Sequence, residues 1–400
     1  MTKTYESPQK TAFYQEHRNH GAVMTDFHQW HLPVHYGSVV REHLHTRAHC
    51  SVFDVSHMGQ ISISGEDAFT LTSYLVPSNL TQLQNGYSKY SCLLNHDGGI
   101  IDDCLITHVN SHTFMLCVNA SRKDVVLAWI KQQARTFSSC EVTDDSEKWA
   151  LLAIQGPQSP TILKKLIENL WTQGLVSKHI HQSLTLSFYQ FTPFTIDNHP
   201  AIISRTGYTG ELGYEIYLPQ DQTICELVWR QLISYPEVLP AGLGARNTLR
   251  LEAGYLLYGA DITEKTLPFQ MKLSWLVAKE KHDFIGSQAL KKWPLIKSDN
   301  MGIEMLYGFF MADHKIARPG MSVYCQPYSS EPIGEVTSAS YLPSCKKPGG
   351  FALLKTTKEL KNVFDTEPFI TINVRGGFSR AKVVPIPFYQ AKTKNPINYC

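Results

Sequence analysis

The feature that most restricts the fold is a change of pattern near residue 300. Before it, short strand-like runs such as GQISISG and TFMLCVNA alternate with helical segments such as SRKDVVLAWIKQQA, which is typical of an α+β protein. After it, short runs rich in Gly, Pro and Ser replace the helices, and this favours a separate small β-barrel or sandwich. The sequence therefore predicts an α+β region up to a boundary near residue 292, followed by an all-β domain.

Composition and charge exclude several classes of function. The 400 residues are 43% hydrophobic and 18% charged, with a formal net charge of +2, so no global field attracts nucleic acid or an anionic membrane. No apolar run approaches the ~18 residues that span a bilayer, and the start lacks the apolar middle region of a signal peptide. The nine cysteines are scattered without a C-x-x-C pair, which favours reduced thiols. We expect a cytoplasmic protein with no nucleic-acid or membrane partner.

The stretch YSCLLNHDGGIIDDCLITHV, residues 90–109, consists of two apolar runs joined at Asp97-Gly98. Both residues of this dipeptide tolerate the positive φ that tight turns require. The sequence therefore predicts a β-hairpin whose second strand starts near Gly99.

Two adjacent carboxylates, Asp102 and Asp103, lie within that second strand. Side chains alternate along a strand, so the two are expected on opposite faces, which excludes a pair sharing one proton. One carboxylate can then act chemically while the other is structural. An equal alternative is a hydrogen-bonded Asp that ties the strand to a neighbouring loop. The predicted faces are Ile100, Asp102, Cys104 and Ile106 on one side, and Ile101, Asp103, Leu105 and Thr107 on the other.

A second candidate segment, RTGYTGELGYEIYLP, repeats glycine every third residue beside tyrosines and glutamates. Gly207, Gly210 and Gly213 allow close approach of another backbone or a flat ligand, and Tyr208 can stack on a ring. The segment is no phosphate loop, since it lacks the terminal Lys-Ser/Thr. Its structural alternative is a bulged hairpin with solvated glutamates such as Glu215.

A third candidate, GLGARNTLRLEAG, places Arg246 in the first turn of a predicted helix. A cation there opposes the helix macrodipole, so local stability does not explain its presence. The guanidinium can instead hold a carboxylate, from Glu215 or from a ligand. A surface arginine, with Arg250 one turn later, is the alternative.

Histidines give weaker signals. His43, His45 and His49 follow an H-x-H-x3-H spacing, but no acidic or cysteine partner completes a metal pattern nearby. We interpret them as solvated or capping residues and predict no metal site. His57 in FDVSHMG is a possible base, although no serine or cysteine elbow accompanies it.

Several of these segments together resemble one known family. FDVSHMG, NHDGGIIDD, LAIQGP, RTGYTGELGYE, GLGARNTLRLEAG and YGADI occur in the order and spacing of the glycine cleavage system T-proteins, which are tetrahydrofolate-dependent aminomethyltransferases. The resemblance runs from about Thr11 to about residue 389. It is specific as a set, whereas no single motif is.

The resemblance implies a three-lobed cloverleaf. Two interleaved α+β lobes of ferredoxin-like type would occupy residues 1–292, and a C-terminal β-barrel would occupy residues 293–400, around a central folate channel. The substrate would be the aminomethyl group on the lipoyl arm of H-protein. Its carbon would pass to tetrahydrofolate, a co-substrate, with release of ammonia and formation of 5,10-methylenetetrahydrofolate.

The resemblance also implies roles for individual residues. The second aspartate of the G-G-x-x-D-D motif is the catalytic one in the family, here Asp103. Glu215 and Arg246 match positions that bind the pterin side of folate. Further matches to pocket-lining positions are Tyr90, Asn119, Tyr208 and Trp275. No metal is implied.

This sequence departs from the family pattern at several points. Gln29 and Ser51 stand where the family usually has Gly, and Asn247 stands where it usually has Asp. In the barrel, VTSASYLPSCKKPGG replaces the usual V-T-S-G-x-x-S-P-T-L. The family's C-terminal basic folate contact has no clear counterpart; Lys392 or Lys394 is the candidate.

Two other functions share the superfamily. A folate-binding repair or tRNA-modification accessory protein would carry a K-G-C-Y-x-G-Q-E segment, where this chain has RTGYTGELGYE. A folate-dependent demethylase would share much of the pocket. The intact aspartate pair and the full GLGAR context favour the aminomethyltransferase.

Overall fold

The structure is a computed structural model that describes residues 7–292, 302–327, 329–358, 360 and 367–397. Helices and strands are numbered here in chain order. The helices are α1 (Tyr14–Asn19), α2 (Val39–Ala48), α3 (Ala68–Leu75), α4 (Lys123–Ala134), α5 (Ser159–Thr172), α6 (Gln222–Ile233), α7 (Leu243–Glu252) and α8 (Ser287–Lys291). None of these helices is long and apolar enough to cross a membrane.

The strands form one short hairpin, two larger sheets and a barrel. Those before residue 120 are β1 (Val23–Phe27), β2 (Trp30–His35), β3 (Cys50–Asp54), β4 (Gly59–Ser64), β5 (Tyr87–Leu94), β6 (Ile100–Asn110) and β7 (Thr113–Val118). The next six are β8 (Glu141–Asp144), β9 (Trp149–Gln155), β10 (Phe191–Ile196), β11 (His199–Ser204), β12 (Gly213–Pro219) and β13 (Val238–Pro240). The last six are β14 (Glu304–Met311), β15 (Ser322–Tyr324), β16 (Gly334–Leu342), β17 (Lys347–Lys355), β18 (Phe369–Val374) and β19 (Gly377–Val384).

Two α+β lobes interleave along the chain, as predicted. The six-strand lobe has the order β10-β11-β12-β9-β3-β13, and the five-strand lobe has the order β5-β6-β7-β4-β8. Strand β3 therefore belongs with strands that follow it by about a hundred residues, while β4 to β8 fold between them. Strand β13 pairs with β3 in parallel, whereas the other ladders between these strands are antiparallel.

Amphipathic helices cover one face of each sheet. In the six-strand lobe, α5 buries Ile162, Leu166 and Leu170, spaced by one helical turn, against the sheet and the indole of Trp229 in α6. Asp221 begins α6 by accepting a hydrogen bond from the Ile224 amide at 3.0 Å. In the five-strand lobe, α3 and α4 bury their apolar stripes in the same way. On the opposite faces, Leu151 and Tyr217 of the six-strand sheet share a buried apolar cluster with Met115 of the five-strand sheet.

The predicted C-terminal β-barrel is confirmed, and the sandwich alternative is wrong. Its six strands close in the order β14-β17-β16-β15-β18-β19. Phe309, Val323 and Ile372 are among the buried side chains that fill its interior. The boundary predicted near residue 292 adjoins residues 293–301, which lie outside the described residues, so that boundary stays a prediction.

Buried polar contacts attach the barrel to the α+β lobes. Arg250 of α7 forms an ion pair with Asp261 at 2.7 Å and donates to Ser338 Oγ of β16 at 2.8 Å. Asp261 also accepts from Thr337 Oγ1 at 2.6 Å. Both members of the ion pair are almost fully buried. The helix that begins at Leu243 is thus fixed at one end to the barrel.

Candidate functional site

A cavity of about 570 Å³ lies where the sheets, α7 and the β1–β2 hairpin meet. It is bordered by strands of both α+β lobes, which explains why residues distant in sequence face one another. Six of the seven side chains implied by the family resemblance line it: Tyr90, Asp103, Asn119, Tyr208, Glu215 and Arg246.

The seventh predicted residue, Trp275, does not line the cavity. Its side chain is 65% exposed, and its ring stacks on that of Tyr90 with centroids 6.1 Å apart. Trp275 therefore touches the site only through the outer face of Tyr90.

The predicted hairpin is present, but its second strand contains a bulge. Gly98 has φ +83° in the turn. Pairing runs from Leu93 opposite Asp102 directly to Leu94 opposite Ile100, which leaves Ile101 unpaired. Ile101 packs in the same cluster as Cys104, while Ile100 packs elsewhere. The predicted faces of the two isoleucines were wrong, because a bulge reverses alternation at that point.

Beyond the bulge the predicted alternation holds. Asp102 is fully buried and does not line the cavity, whereas Asp103 does. The two carboxylates are nevertheless connected, which alternation did not predict. Asn119 Nδ2 donates to Asp102 Oδ1 at 2.8 Å and to Asp103 Oδ1 at 2.9 Å. One amide nitrogen therefore contacts both carboxylates, although they lie on opposite faces of the strand.

Other donors complete the environment of each aspartate. The backbone N–H of Asn119 donates to Asp102 Oδ2 at 2.9 Å, and Tyr90 Oη donates to Asp103 Oδ2 at 2.8 Å. Burial, followed by the charge of Asp103, raises the pKa of Asp102 well above its usual range. Burial also raises the pKa of Asp103, against the lowering effect of its hydrogen bonds to Tyr90 and Asn119.

Glu215 projects into the cavity from β12. One of its oxygens, Oε2, accepts a hydrogen bond from Thr206 Oγ1. No other hydrogen bond within the described residues reaches this carboxylate. Burial raises the pKa of Glu215, and the hydrogen bond from Thr206 and the charge of Arg246 act in the opposite direction. A polar ligand can therefore reach a partly unsatisfied carboxylate.

The glycines preceding Glu215 serve a different purpose from the one expected. A Cβ on Gly207 would lie 2.0 Å from Gln155 Oε1, and one on Gly213 would lie 2.2 Å from Gln155 Nε2. The buried Gln155 side chain thus lies between them and donates to Thr206 O at 3.1 Å. These two glycines accommodate the side chain of Gln155, whereas the sequence predicted close approach of a ligand or another backbone.

Arg246 reaches the cavity from the first turn of α7. The expected ion pair with Glu215 is not formed, and Arg246 has no ion pair with any described residue. Its guanidinium lies over the ring of Tyr208, 4.7 Å from the centroid. Burial lowers the pKa of Arg246. The alternative of surface arginines is wrong, because Arg250 is 2% exposed and Arg246 lines the cavity.

One of the predicted histidines differs from its predicted role, and another lines the cavity. His43 is fully buried, with Nδ1 2.8 Å from Thr248 Oγ1 and Nε2 3.1 Å from Glu252, so the interpretation as a solvated or capping residue was wrong. His57 is buried at the cavity wall. Burial, followed by the nearby Arg246 charge, lowers the pKa of His57 to about 3, which keeps its ring neutral.

Two further tyrosines line the cavity without having been predicted as site residues. Tyr258, the first residue of the YGADI segment, donates to Ile100 O at 3.1 Å, and Tyr189 adopts φ +69°. The tyrosine content of the segments could have suggested them, but only the fold brings them to the cavity. The lysine candidates for a basic contact, Lys392 and Lys394, do not line it: they lie over the rings of Tyr389 and Phe188. Within the described residues, no group of His, Cys, Asp or Glu is arranged to hold a metal ion.

Comparison with known proteins identifies the fold and the class. The GCVT N-terminal domain family matches residues 13–281, and the glycine cleavage T-protein C-terminal barrel domain family matches residues 305–390. An aminomethyltransferase of Halothermothrix orenii is 37% identical over 95% of this chain and 99% of that protein. One from Pseudothermotoga lettingae is 35% identical over 96% and 99%.

A solved structure agrees with these relatives. The crystal structure of glycine cleavage system aminomethyltransferase T from Bartonella henselae has a TM-score of 0.83 and 32% identity, and covers 96% of this chain and 99% of that one. The three lobes and the cavity between them thus define a one-carbon group transferase. The chain belongs to the glycine cleavage T-protein family of aminomethyltransferases. The repair, tRNA-modification and demethylase alternatives are not favoured by these matches.

Proposed function

We propose that the cavity binds tetrahydrofolate and that the lipoylated H-protein supplies the aminomethyl group. The carbon passes from the lipoyl sulfur to N5 and N10 of tetrahydrofolate, whose two N–H protons are accounted for in the products. One completes the ammonia that leaves, and the other completes the dihydrolipoyl thiol. The organic product is 5,10-methylenetetrahydrofolate.

The observation that carries the proposal is that Glu215, Arg246 and Asp103 line one cavity together with several tyrosines. A pterin ring has a donor-rich amide edge, which suits the carboxylate of Glu215. It also has acceptor atoms suited to the guanidinium of Arg246, and flat faces suited to Tyr208. Among the described residues, the Glu215 carboxylate accepts one hydrogen bond and Arg246 forms no ion pair. Both side chains can therefore form further hydrogen bonds with a ligand.

Asp103 has the chemistry required at the reacting amines. Its carboxylate is held by Tyr90 and Asn119 at hydrogen-bond distance, so its orientation is fixed before substrate arrives. It would orient a nucleophilic amine and stabilise positive charge as the aminomethyl carbon becomes iminium-like. Holding two large reactants together contributes as well, because a bimolecular step becomes effectively intramolecular.

The test is ammonia release from aminomethylated H-protein with and without tetrahydrofolate. We expect strong stimulation by tetrahydrofolate, and a loss of roughly 10²-fold or more in kcat for Asp103→Asn, with folate affinity and thermal stability largely retained. Asp313→Asn, at a half-exposed barrel position, is the matched control. Ammonia release that does not depend on tetrahydrofolate, or near-normal turnover by Asp103→Asn, would contradict the proposal.

A further inference from the structure

Asp102 and Asp103 are coupled through a single side chain. The Asn119 amide nitrogen has two hydrogens, and its contacts reach Oδ1 of both carboxylates. Asp102 has in addition the Asn119 backbone N–H, and Asp103 has the Tyr90 hydroxyl. Every donor in these contacts is neutral. The two acidic groups thus share one hydrogen-bond network that contributes no positive charge.

Among the described residues, none of the surrounding charged groups forms an ion pair with Asp102 or Asp103. Those facing the pair from neighbouring elements are Tyr90 and Cys92 of β5, Cys104 of β6, Arg122 after β7, Tyr208, and Tyr258 and Asp261 after α7. Arg122, a cation that acts on Asp102, is engaged by Glu264 and by the Ile101 carbonyl at 2.9 Å. Asp261 adds negative charge and is itself paired with Arg250.

Two adjacent carboxylates without a cation in contact cannot both ionise cheaply. Each loses hydration on burial, and the second ionisation is opposed by the charge of the first. Such a pair titrates in two separated steps that belong to the pair rather than to either residue. Between the two steps the pair holds one proton and carries a single negative charge.

We propose that Asp102 and Asp103 form one carboxylate pair, bridged by Asn119, whose titrations are coupled, with Asp102 as the residue that positions and tunes Asp103. The role of this pair in the reaction rests on the proposed function, whereas the pairing itself is a property of the free protein. Asp102 thereby acts on the reaction through Asn119 and Asp103, without touching substrate.

The pairing predicts a titration pattern that a merely structural Asp102 would not give. The full chain, labelled with ¹³C at the aspartate carboxyl carbons, is titrated by NMR as wild type, Asp102→Asn, Asp103→Asn and the control Asp313→Asn. In the wild type and the control we expect two steps separated by more than about one pH unit, the upper one above the ordinary aspartate range. In Asp103→Asn the upper step disappears, and Asp102 titrates in one step at least about one unit lower.

Asp103→Asn decides the question even if Asp102→Asn does not fold, because it removes one charge and leaves the buried residue in place. An Asp102 titration that is unchanged in Asp103→Asn would overturn the pairing, as would ordinary single-step titration of both residues in the wild type. Failure of the proposed function would appear separately, as ammonia release that is independent of tetrahydrofolate, and would leave the titration result standing.

Discussion

Glu215 shows how burial sets the working range of a binding residue. The carboxylate is largely enclosed and its pKa is raised by that burial, despite the Thr206 hydrogen bond and the nearby Arg246. Only the ionised form can accept hydrogen bonds at both oxygens from a donor-rich ring edge. Since the pKa is raised, the ionised form appears at a higher pH than for an exposed glutamate. Affinity that depends on it is therefore lost as pH falls through the raised value.

We predict that the affinity for tetrahydrofolate weakens as pH falls, with a midpoint above the ~4.3 of an exposed glutamate. Glu215→Gln should bind roughly 10- to 100-fold more weakly at neutral pH and lose this pH dependence. Titration calorimetry across the pH range measures both effects. Glu141→Gln, at an exposed position on β8, controls for titration of the folate itself. The same midpoint in Glu215→Gln would show that another group is responsible.

Several residues of the candidate site could be predicted from the sequence, whereas several contacts between distant residues could not. Asp103, Glu215 and Arg246 line one cavity, as the family resemblance implies. The link from Asn119 to both aspartates depends on how the end of β7 returns beside β6. The burial of His43 depends on α7 packing over α2. Such contacts between distant segments leave no local pattern in the sequence.

At the scale of one element, the β1–β2 hairpin contains a strained turn. Phe27 pairs with Trp30, and the two residues between them, His28 and Gln29, have φ +51° and +68°. Two consecutive positive φ values define a type I′ turn, which favours Asn-Gly over side chains such as Gln. This geometry accounts for the glycine that the family usually has at the position of Gln29. The strain lies beside the cavity, which Phe27 and His28 line.

Gln29→Gly should therefore stabilise the protein by roughly 1 kcal/mol, because glycine adopts positive φ without a steric penalty. Thermal denaturation should show a higher unfolding temperature. Gln15→Gly, in the exposed face of α1, is the contrasting variant and should destabilise by roughly 1 kcal/mol. A lower unfolding temperature for Gln29→Gly would mean that contacts of the Gln29 side chain stabilise the protein by more than the turn strain destabilises it.

Elements themselves were largely predictable, and irregularities within them were not. The sequence pattern identified α4, and Asp97-Gly98 identified the β5–β6 hairpin. The bulge at Ile101 escaped prediction because its cause is tertiary. Ile100 N donates to Thr266 O at 3.1 Å instead of continuing the ladder, and Arg122 holds the Ile101 carbonyl. Neither partner is near the bulge in sequence.

At the scale of the whole molecule, the junction between α7 and the barrel depends on a buried ion pair. Removing Arg250 leaves Asp261 buried without its cation, which costs about 3–5 kcal/mol in comparable sites. We therefore expect Arg250→Ala to lower the unfolding temperature strongly.

A matched comparison is available on the barrel surface. Arg380 and Glu367 form an ion pair at 2.5 Å whose side chains are 59% and 69% exposed, and such pairs contribute at most about 1 kcal/mol. Calorimetric or circular-dichroism melting of Arg250→Ala and Arg380→Ala should separate the two clearly. If the two variants lowered the unfolding temperature equally, the buried ion pair would not stabilise the junction between α7 and the barrel.

The interleaving of the lobes has a consequence for synthesis of the chain. Strand β3 pairs with β9, with Phe53 opposite Ala153, and all five strands of the five-strand sheet lie in the chain between these two strands. A nascent chain leaving the ribosome can therefore form that sheet before β9, the partner of β3, has emerged. The six-strand sheet, and the cavity wall that it supplies, can close only after the inserted lobe has emerged.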